Sequence, residues 1–190
     1  MTKFTVFNDI HAGAPYELYP MNTQFETMIV PGTIGVSIGD VYDIKNTKKQ
    51  DMLAAKINLE RHKMKLGACY LSGNHELTPL ELKPWIAIDD VLFMHGDLLF
   101  WDRAKVDAFR AKSPGAGPLK RLFVQAIDEL RLVAPAGFND FFFSQCEKYL
   151  KLSGCHTIVS GHHHVKTRLD VQKPFGRVIN LPRGINQVKV

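Results

Sequence analysis

Five short segments of the chain carry side chains that bind hard or borderline metal ions: Asp9-Ile10-His11, Gly39-Asp40-Val41-Tyr42-Asp43, Gly73-Asn74-His75-Glu76, His95-Gly96-Asp97 and Gly161-His162-His163-His164. Each follows a short apolar, strand-like run. Donors delivered from several strand ends are how a scaffold builds a rigid polar site. The two-residue spacing of Asp9 and His11, repeated in His162 and His164, can turn both side chains of a pair toward one point, with His163 pointing elsewhere. Taken singly, an Asp-x-His is an ordinary turn and His95 an ordinary core histidine. Pooled, the segments offer Asp9, His11, Asp40, Asn74, His95, His162 and His164. Mixed nitrogen and oxygen donors without thiolate suit manganese, iron or zinc better than calcium or an iron–sulfur cluster. Seven donors are too many for one tetrahedral zinc. They suit two ions sharing a carboxylate, about 3.5–4 Å apart, the arrangement of two-metal phosphoryl chemistry.

The elements that must position these donors follow from pattern. Phe4–Phe7 and Ile34–Ile38 read as buried strands ending at the first two segments, and Ala68–Leu71 as a third ending at Gly73. Thr47 to Leu66 lacks Pro and Gly and has Gly67 just beyond, so it predicts a helix. Trp85–Ile88 and Val91–Met94 around Asp89-Asp90 predict a hairpin. Helices are expected over 101–112, 118–133 and about 139–152, the last with Asn139 as N-cap. Thr157–Val159 is a strand before the histidine-rich segment, and the tail reads as antiparallel strands around Lys173-Pro174-Phe175-Gly176. Residues 12–33, rich in Pro and Gly, read as a long irregular connection. The order predicts a mixed α/β fold of two packed sheets with helices outside.

Composition sets bounds. With 190 residues, 45% apolar and 23% charged, the chain suits one ordinary domain with a real core. No apolar run is long enough to span a bilayer. The N-terminus reaches Asn8-Asp9 too soon for a signal peptide, and Cys69, Cys146 and Cys155 form no paired motif, so the expectation is a cytoplasmic protein with free thiols, buried at Cys69 and Cys155. The net charge of +5 favours an anionic substrate. Its basic excess lies over residues 45–65, as Lys45, Lys48, Lys49, Lys56, Arg61, Lys63 and Lys65. That stretch is either a solvated helix face or a surface for nucleic acid or another polyanion.

The five segments in this order resemble the calcineurin-like metallophosphoesterase superfamily, whose pattern is D-x-H, G-D-x-x-D, G-N-H-[DE], H and G-H-x-H. The match spans residues 9–164. It implies a four-layer α/β/β/α sandwich. It also implies that Asp9, His11, Asp40 and His164 hold one metal, and that Asp40, Asn74, His95 and His162 hold a second, with Asp40 bridging. The implied activity is phosphate-ester hydrolysis by a metal-bridging hydroxide, with His75 protonating the leaving group and Asp43 orienting His75. Two divalent ions are implied, manganese first, with iron, zinc or nickel as alternatives.

Protein phosphatases of the superfamily carry an arginine after the second motif's last aspartate. Here Ile44-Lys45 follows, and Lys45 offers charge to a substrate but no bidentate fork. The stretch from His95 to Asp102 and the helices after it are similar to the UDP-2,3-diacylglucosamine pyrophosphohydrolases. That similarity implies a small helical cap over about 98–135, with Trp101, Phe109 and Phe123 as candidate pocket residues. Phe138, Phe141, Phe142 and Phe143 are expected in the core. A phosphodiesterase is the leading reading. A phosphomonoesterase, a nucleoside-diphosphate-lipid pyrophosphohydrolase and a non-catalytic metal-binding scaffold of the same fold, like the small subunit of the retromer coat, are the alternatives. The sequence leaves the oligomeric state open.

Overall fold

The computed structural model describes residues 1–15, 17–77, 84–111 and 138–190. The expected helix over 118–133, and with it Phe123, lies outside these residues. So does most of the expected cap.

Two mixed sheets form the centre. The smaller has the order β2-β1-β8, built from β1 (Lys3–Asn8), β2 (Ile34–Ser37) and β8 (Gly184–Lys189). β1 runs parallel to β2 and antiparallel to β8. The larger has the order β3-β4-β5-β7-β6, from β3 (Ile86–Ile88), β4 (Val91–Met94), β5 (Thr157–Ser160), β6 (Leu169–Lys173) and β7 (Gly176–Asn180). Its central strands β4, β5 and β7 are parallel, and its two edges are closed by the antiparallel hairpins β3–β4 and β6–β7.

The two-residue period of the strands builds the layers. Phe4 and Val6 of β1 face Val91 and Phe93 of β4, Val159 and Ile179 across the space between the sheets. The alternate residues Leu92 and Met94, with Ile158 and Val178, turn outward onto the helices α2 (Asp97–Phe100), α3 (Arg103–Arg110) and α4 (Asp140–Ser153). On the other side Phe7 packs with Ala55 and Leu59 of α1 (Met52–Leu66). The order α1, small sheet, large sheet, α2–α4 is the expected α/β/β/α sandwich. Among the described residues no helix is long and apolar enough to cross a membrane.

Local chemistry sets the helix limits. The Asn139 side chain accepts the Phe142 N–H at 3.1 Å, and Gly154, at φ 74°, closes α4 by donating to Leu150 O. Phe142, Cys146, Tyr149 and Leu150 form its buried stripe, while Phe141, one residue off that stripe, is exposed rather than core. The helix expected from Thr47 starts later. Thr47 bonds back to the Asp43 carbonyl through both its N–H and its hydroxyl, so the chain enters α1 only through a 3₁₀ turn at Lys49–Asp51. The expected strand Ala68–Leu71 shrinks to one bridge, Tyr70 with Ser37, because Gly67 at φ 53° leads into a 3₁₀ turn over Gly67–Cys69. The irregular segment 12–33 holds a 3₁₀ turn at Phe25–Met28, whose Phe25 is buried against Phe7 and Tyr42. The three cysteines are free; Cys155 and Cys146 are buried, Cys69 only half-buried.

Candidate metal centre

The seven candidate donors come from loops at the ends of β1, β2, β4 and β5 and from the segment after Tyr70. Their backbones are unusual. Asp9, His11, Asp40 and His162 all have positive φ, between 47° and 69°, a region that non-glycine residues seldom occupy. Strain of this kind gathers at functional sites. The loops also touch too closely for side chains. A Cβ on Gly73 would stand 2.0 Å from Asp40 Oδ1, and one on Gly161 would stand 1.6 Å from Asn8 Oδ1 and 2.6 Å from Asp9 Oδ2. These two glycines let the loops close on one another.

The side chains converge. His11 Nε2 and His164 Nε2 are 3.0 Å apart, and Asp9 Oδ1 lies 3.8 and 3.7 Å from them. His95 Nε2 lies 2.7 Å from Asn74 Oδ1, 3.2 Å from His162 Nδ1 and 3.4 Å from Asp40 Oδ2. Three overlapping donor triads result: Asp9, His11 and His164; His11, Asp40 and His75; Asp40, His95 and His162. His11 and Asp40 each belong to two of them. His95 Nδ1 donates to Ile38 O at 2.9 Å, which leaves its Nε2 lone pair for the site. The triads suit divalent cations. Asp9 Oδ1 and Asn74 Nδ2 are buried and have no hydrogen-bond partner among the described residues. Two imidazole nitrogens 3.0 Å apart beside such a carboxylate oxygen form an acceptor-rich pocket.

Electrostatics agree. Burial alone would raise the carboxyls of Asp9, Asp40 and Asp43, yet surrounding histidines hold all three well below the usual range. Burial drives His11 down to about 4 against the pull of Asp43. His95 moves the other way: burial is the largest single influence and opposes its proton, but Asp40, Asp97 and Asp9 together outweigh it and push the ring up to about 10. Its neighbour His162 is held well below the ordinary value by burial and then by His95. A cation bound there would displace the His95 proton, so metal affinity must rise with pH.

His75 stands beside the donors. Its Nδ1 is 2.8 Å from Asp43 Oδ2, and its backbone N–H donates to Asp40 Oδ1 at 2.7 Å. Phe109 of α3 lies 5.7 Å from the His75 ring and 5.6 Å from Trp101, which meets His162 edge-on at 4.8 Å. Lys45 is not on the basic helix. It is buried in the loop before it, its ammonium 3.1 Å from the Phe109 ring centre. Trp101 also lines a cavity of about 420 Å³ beside α4, with Trp85, Leu98 and Tyr149. His163 turns away and stacks on Phe100 at 4.5 Å.

Further residues support the site, and of these only Glu76 belongs to a segment marked in the sequence. Asn46 donates its N–H to Asp43 Oδ1 and its amide to Asp43 Oδ2. Glu76 accepts the N–H groups of Val41 and Gly73 and the Tyr70 hydroxyl, tying the second and third segments together. Burial, with Asp40 behind it, pushes its carboxyl up to about 7. Buried Arg110 of α3 binds Asp97 at 2.8 Å and Ser72 O at 3.1 Å, pinning α3 to the start of α2 and to the loop before Asn74. Arg183 donates to the Asp9 carbonyl at 3.1 Å. A polar side chain three residues past Asp43 was the only hint of Asn46, and nothing in spacing pointed to Arg110 or Arg183.

Solved structures with a similar chain path include Vacuolar Protein Sorting 29 from Cryptosporidium parvum, at 12% identity and TM-score 0.47, covering 96% of this chain and 74% of that one. A conserved uncharacterized protein, predicted phosphoesterase, from Streptococcus pneumoniae TIGR4 matches at 12% identity and TM-score 0.46, covering 99% and 83%. The cold-active protein-tyrosine phosphatase of a psychrophilic Shewanella species matches at 15% identity and TM-score 0.46, covering 98% and 75%. None is close enough to say what this chain acts on. No curated protein matches the chain in sequence. The family model described as calcineurin-like phosphoesterase matches residues 2–166, most of the chain and every converging donor. The chain belongs to the calcineurin-like phosphoesterases and is a metal-dependent phosphoric ester hydrolase.

Proposed function

We propose that the protein is a dinuclear metal-dependent phosphodiesterase and that residues 1–190 act as one domain. The observation that carries this reading is the chain of overlapping donor triads with Asp40 and His11 shared. Asp9, His11, Asp40 and His164 would hold one ion. Asp40, Asn74, His95 and His162 would hold the other, with Asp40 between them. Manganese heads the candidates, and iron, zinc or nickel fit the same donors. Such ions supply an acidified water and neutralise charge on the phosphoryl oxygens.

The chain's own residues do the rest. His75, held by Asp43, donates the proton that the leaving oxygen needs. The Asp43 contact at Nδ1 leaves Nε2 of His75 as the nitrogen that faces the leaving group. Lys45 and Trp101 both pack on Phe109 and contact the substrate. A cation stacked on an aromatic ring, in place of an arginine fork, suits a singly charged diester better than a dianionic monoester. Unpaired thiols fit a reducing, cytoplasmic setting.

Metal analysis of the purified protein should find about two ions per chain. With manganese added, bis-p-nitrophenyl phosphate should be cleaved faster than p-nitrophenyl phosphate, and Asn74→Ala should abolish both. A preference for the monoester would overturn the diester reading. Two bound ions without turnover of any ester would leave the scaffold alternative.

A further inference from the structure

The outward face of α1 is apolar where a helix lying on solvent should be polar. Ala55, Leu59 and His62 face the core. On the opposite side Leu53 is 71% exposed, Ile57 59% and Met64 77%. At 3.6 residues per turn these three fall within about 40° of arc, at the pole farthest from the core, and form a ridge roughly 16 Å long. Exposed Lys56 flanks the ridge on one side and exposed Lys65 on the other, exposed Lys48 and Lys49 lie ahead of it, and Arg61 turns back toward Tyr42. Glu60 sits close to the ridge, and its charge is matched by Lys63 at 2.9 Å.

We propose that α1 docks the protein on an anionic lipid surface. The apolar ridge enters the headgroup boundary, and the flanking cations meet lipid phosphates on both sides of it. The long stems of the lysines allow this, because the ammonium can reach outward while the stem lies along the ridge. Nucleic acid suits the face less well, since apolar side chains stand where phosphates would lie. A second copy of the chain would set the same cationic flanks against each other. A protein partner would need an apolar groove walled by acids on both sides. An anionic bilayer offers both features and moulds to a convex ridge without a matching shape.

Co-sedimentation with vesicles tests this. The full chain should pellet with phosphatidylcholine vesicles containing phosphatidylglycerol and stay in solution with phosphatidylcholine alone. The variant Leu53→Ser/Ile57→Ser/Met64→Ser should bind the anionic vesicles at least about tenfold more weakly. Lys56→Gln/Lys65→Gln should lose a similar factor, and high salt should release the wild type. All these positions are solvent-exposed, so hydrolysis of a soluble nitrophenyl ester should be unchanged in each variant. A wild type that ignores anionic vesicles overturns the proposal. So does an apolar variant that binds them as well as the wild type, or a polynucleotide held equally by both.

Discussion

The carboxylate of Asp43 serves two histidines at once: Oδ2 lies 2.8 Å from His75 Nδ1 and 3.2 Å from His11 Nδ1. One carboxylate therefore aims both a candidate ligand and the candidate proton donor. Replacing Asp43 by Asn should weaken metal binding about 10–100-fold through His11 and slow turnover besides. Replacing His75 by Ala should slow turnover about 10²–10⁴-fold with metal binding kept. Calorimetric metal titration alongside kcat separates the two. Identical metal affinities in wild type and Asp43→Asn would remove the shared role.

The glycine at 161 tests how closely the loops must pack. Its added methyl would overlap Asn8 Oδ1 and press on Asp9 Oδ2. Gly161→Ala should therefore displace Asp9 and cut metal affinity and activity by about 100-fold, the scale of losing a positioned ligand or its support. Manganese titration of the variant reads this directly.

Arg110 and Asp97 form a buried ion pair that also holds Ser72 O. Removing one member strands the other charge, so Arg110→Ala should destabilise by about 3–5 kcal/mol. Arg110→Met with Asp97→Leu should recover much of that loss in urea unfolding. Because α3 carries Phe109, the double variant should still show altered turnover.

His62 offers a pH test away from the metal donors. It is buried among Phe7, Phe25, Tyr42 and Tyr70, and neither ring nitrogen has a hydrogen-bond partner among the described residues. Burial brings it down to about 4, against the pull of Glu26, whose carboxylate is 3.9 Å from Nδ1. Between about pH 6.5 and 4 the unfolded chain therefore takes up a proton that the native state refuses. Stability must fall as pH drops through that window, by about 3 kcal/mol from this group. Denaturant unfolding of His62→Phe should show that much less loss between pH 7 and 4 than the wild type. Equal slopes would contradict the argument.

Metal removal gives a further expectation. Four site residues hold positive φ, a backbone strain that costs stability and that a bound cation would offset. Manganese at 100 times its dissociation constant should stabilise the fold by about 2.7 kcal/mol per site, and chelation should lower Tm accordingly.

Much of the fold was legible in the chain. The short apolar runs Phe4–Phe7 and Val91–Met94 marked strands with two buried faces, and Asn139 and Gly154 bounded α4, because these signals are local. Thr47 and Ala68–Leu71 misled, because a bond back to Asp43 and the turn at Gly67 decided those conformations. The donor types and their spacing, from Asp9 to His164, came from sequence alone, since ligand chemistry belongs to the side chain itself. Which donors meet, that Asp43 faces both His11 and His75, that Lys45 lies on Phe109, and that Arg110 locks α3 to the site came only with tertiary structure. Each of those contacts joins residues far apart along the chain, and no local preference encodes a distance that packing alone closes.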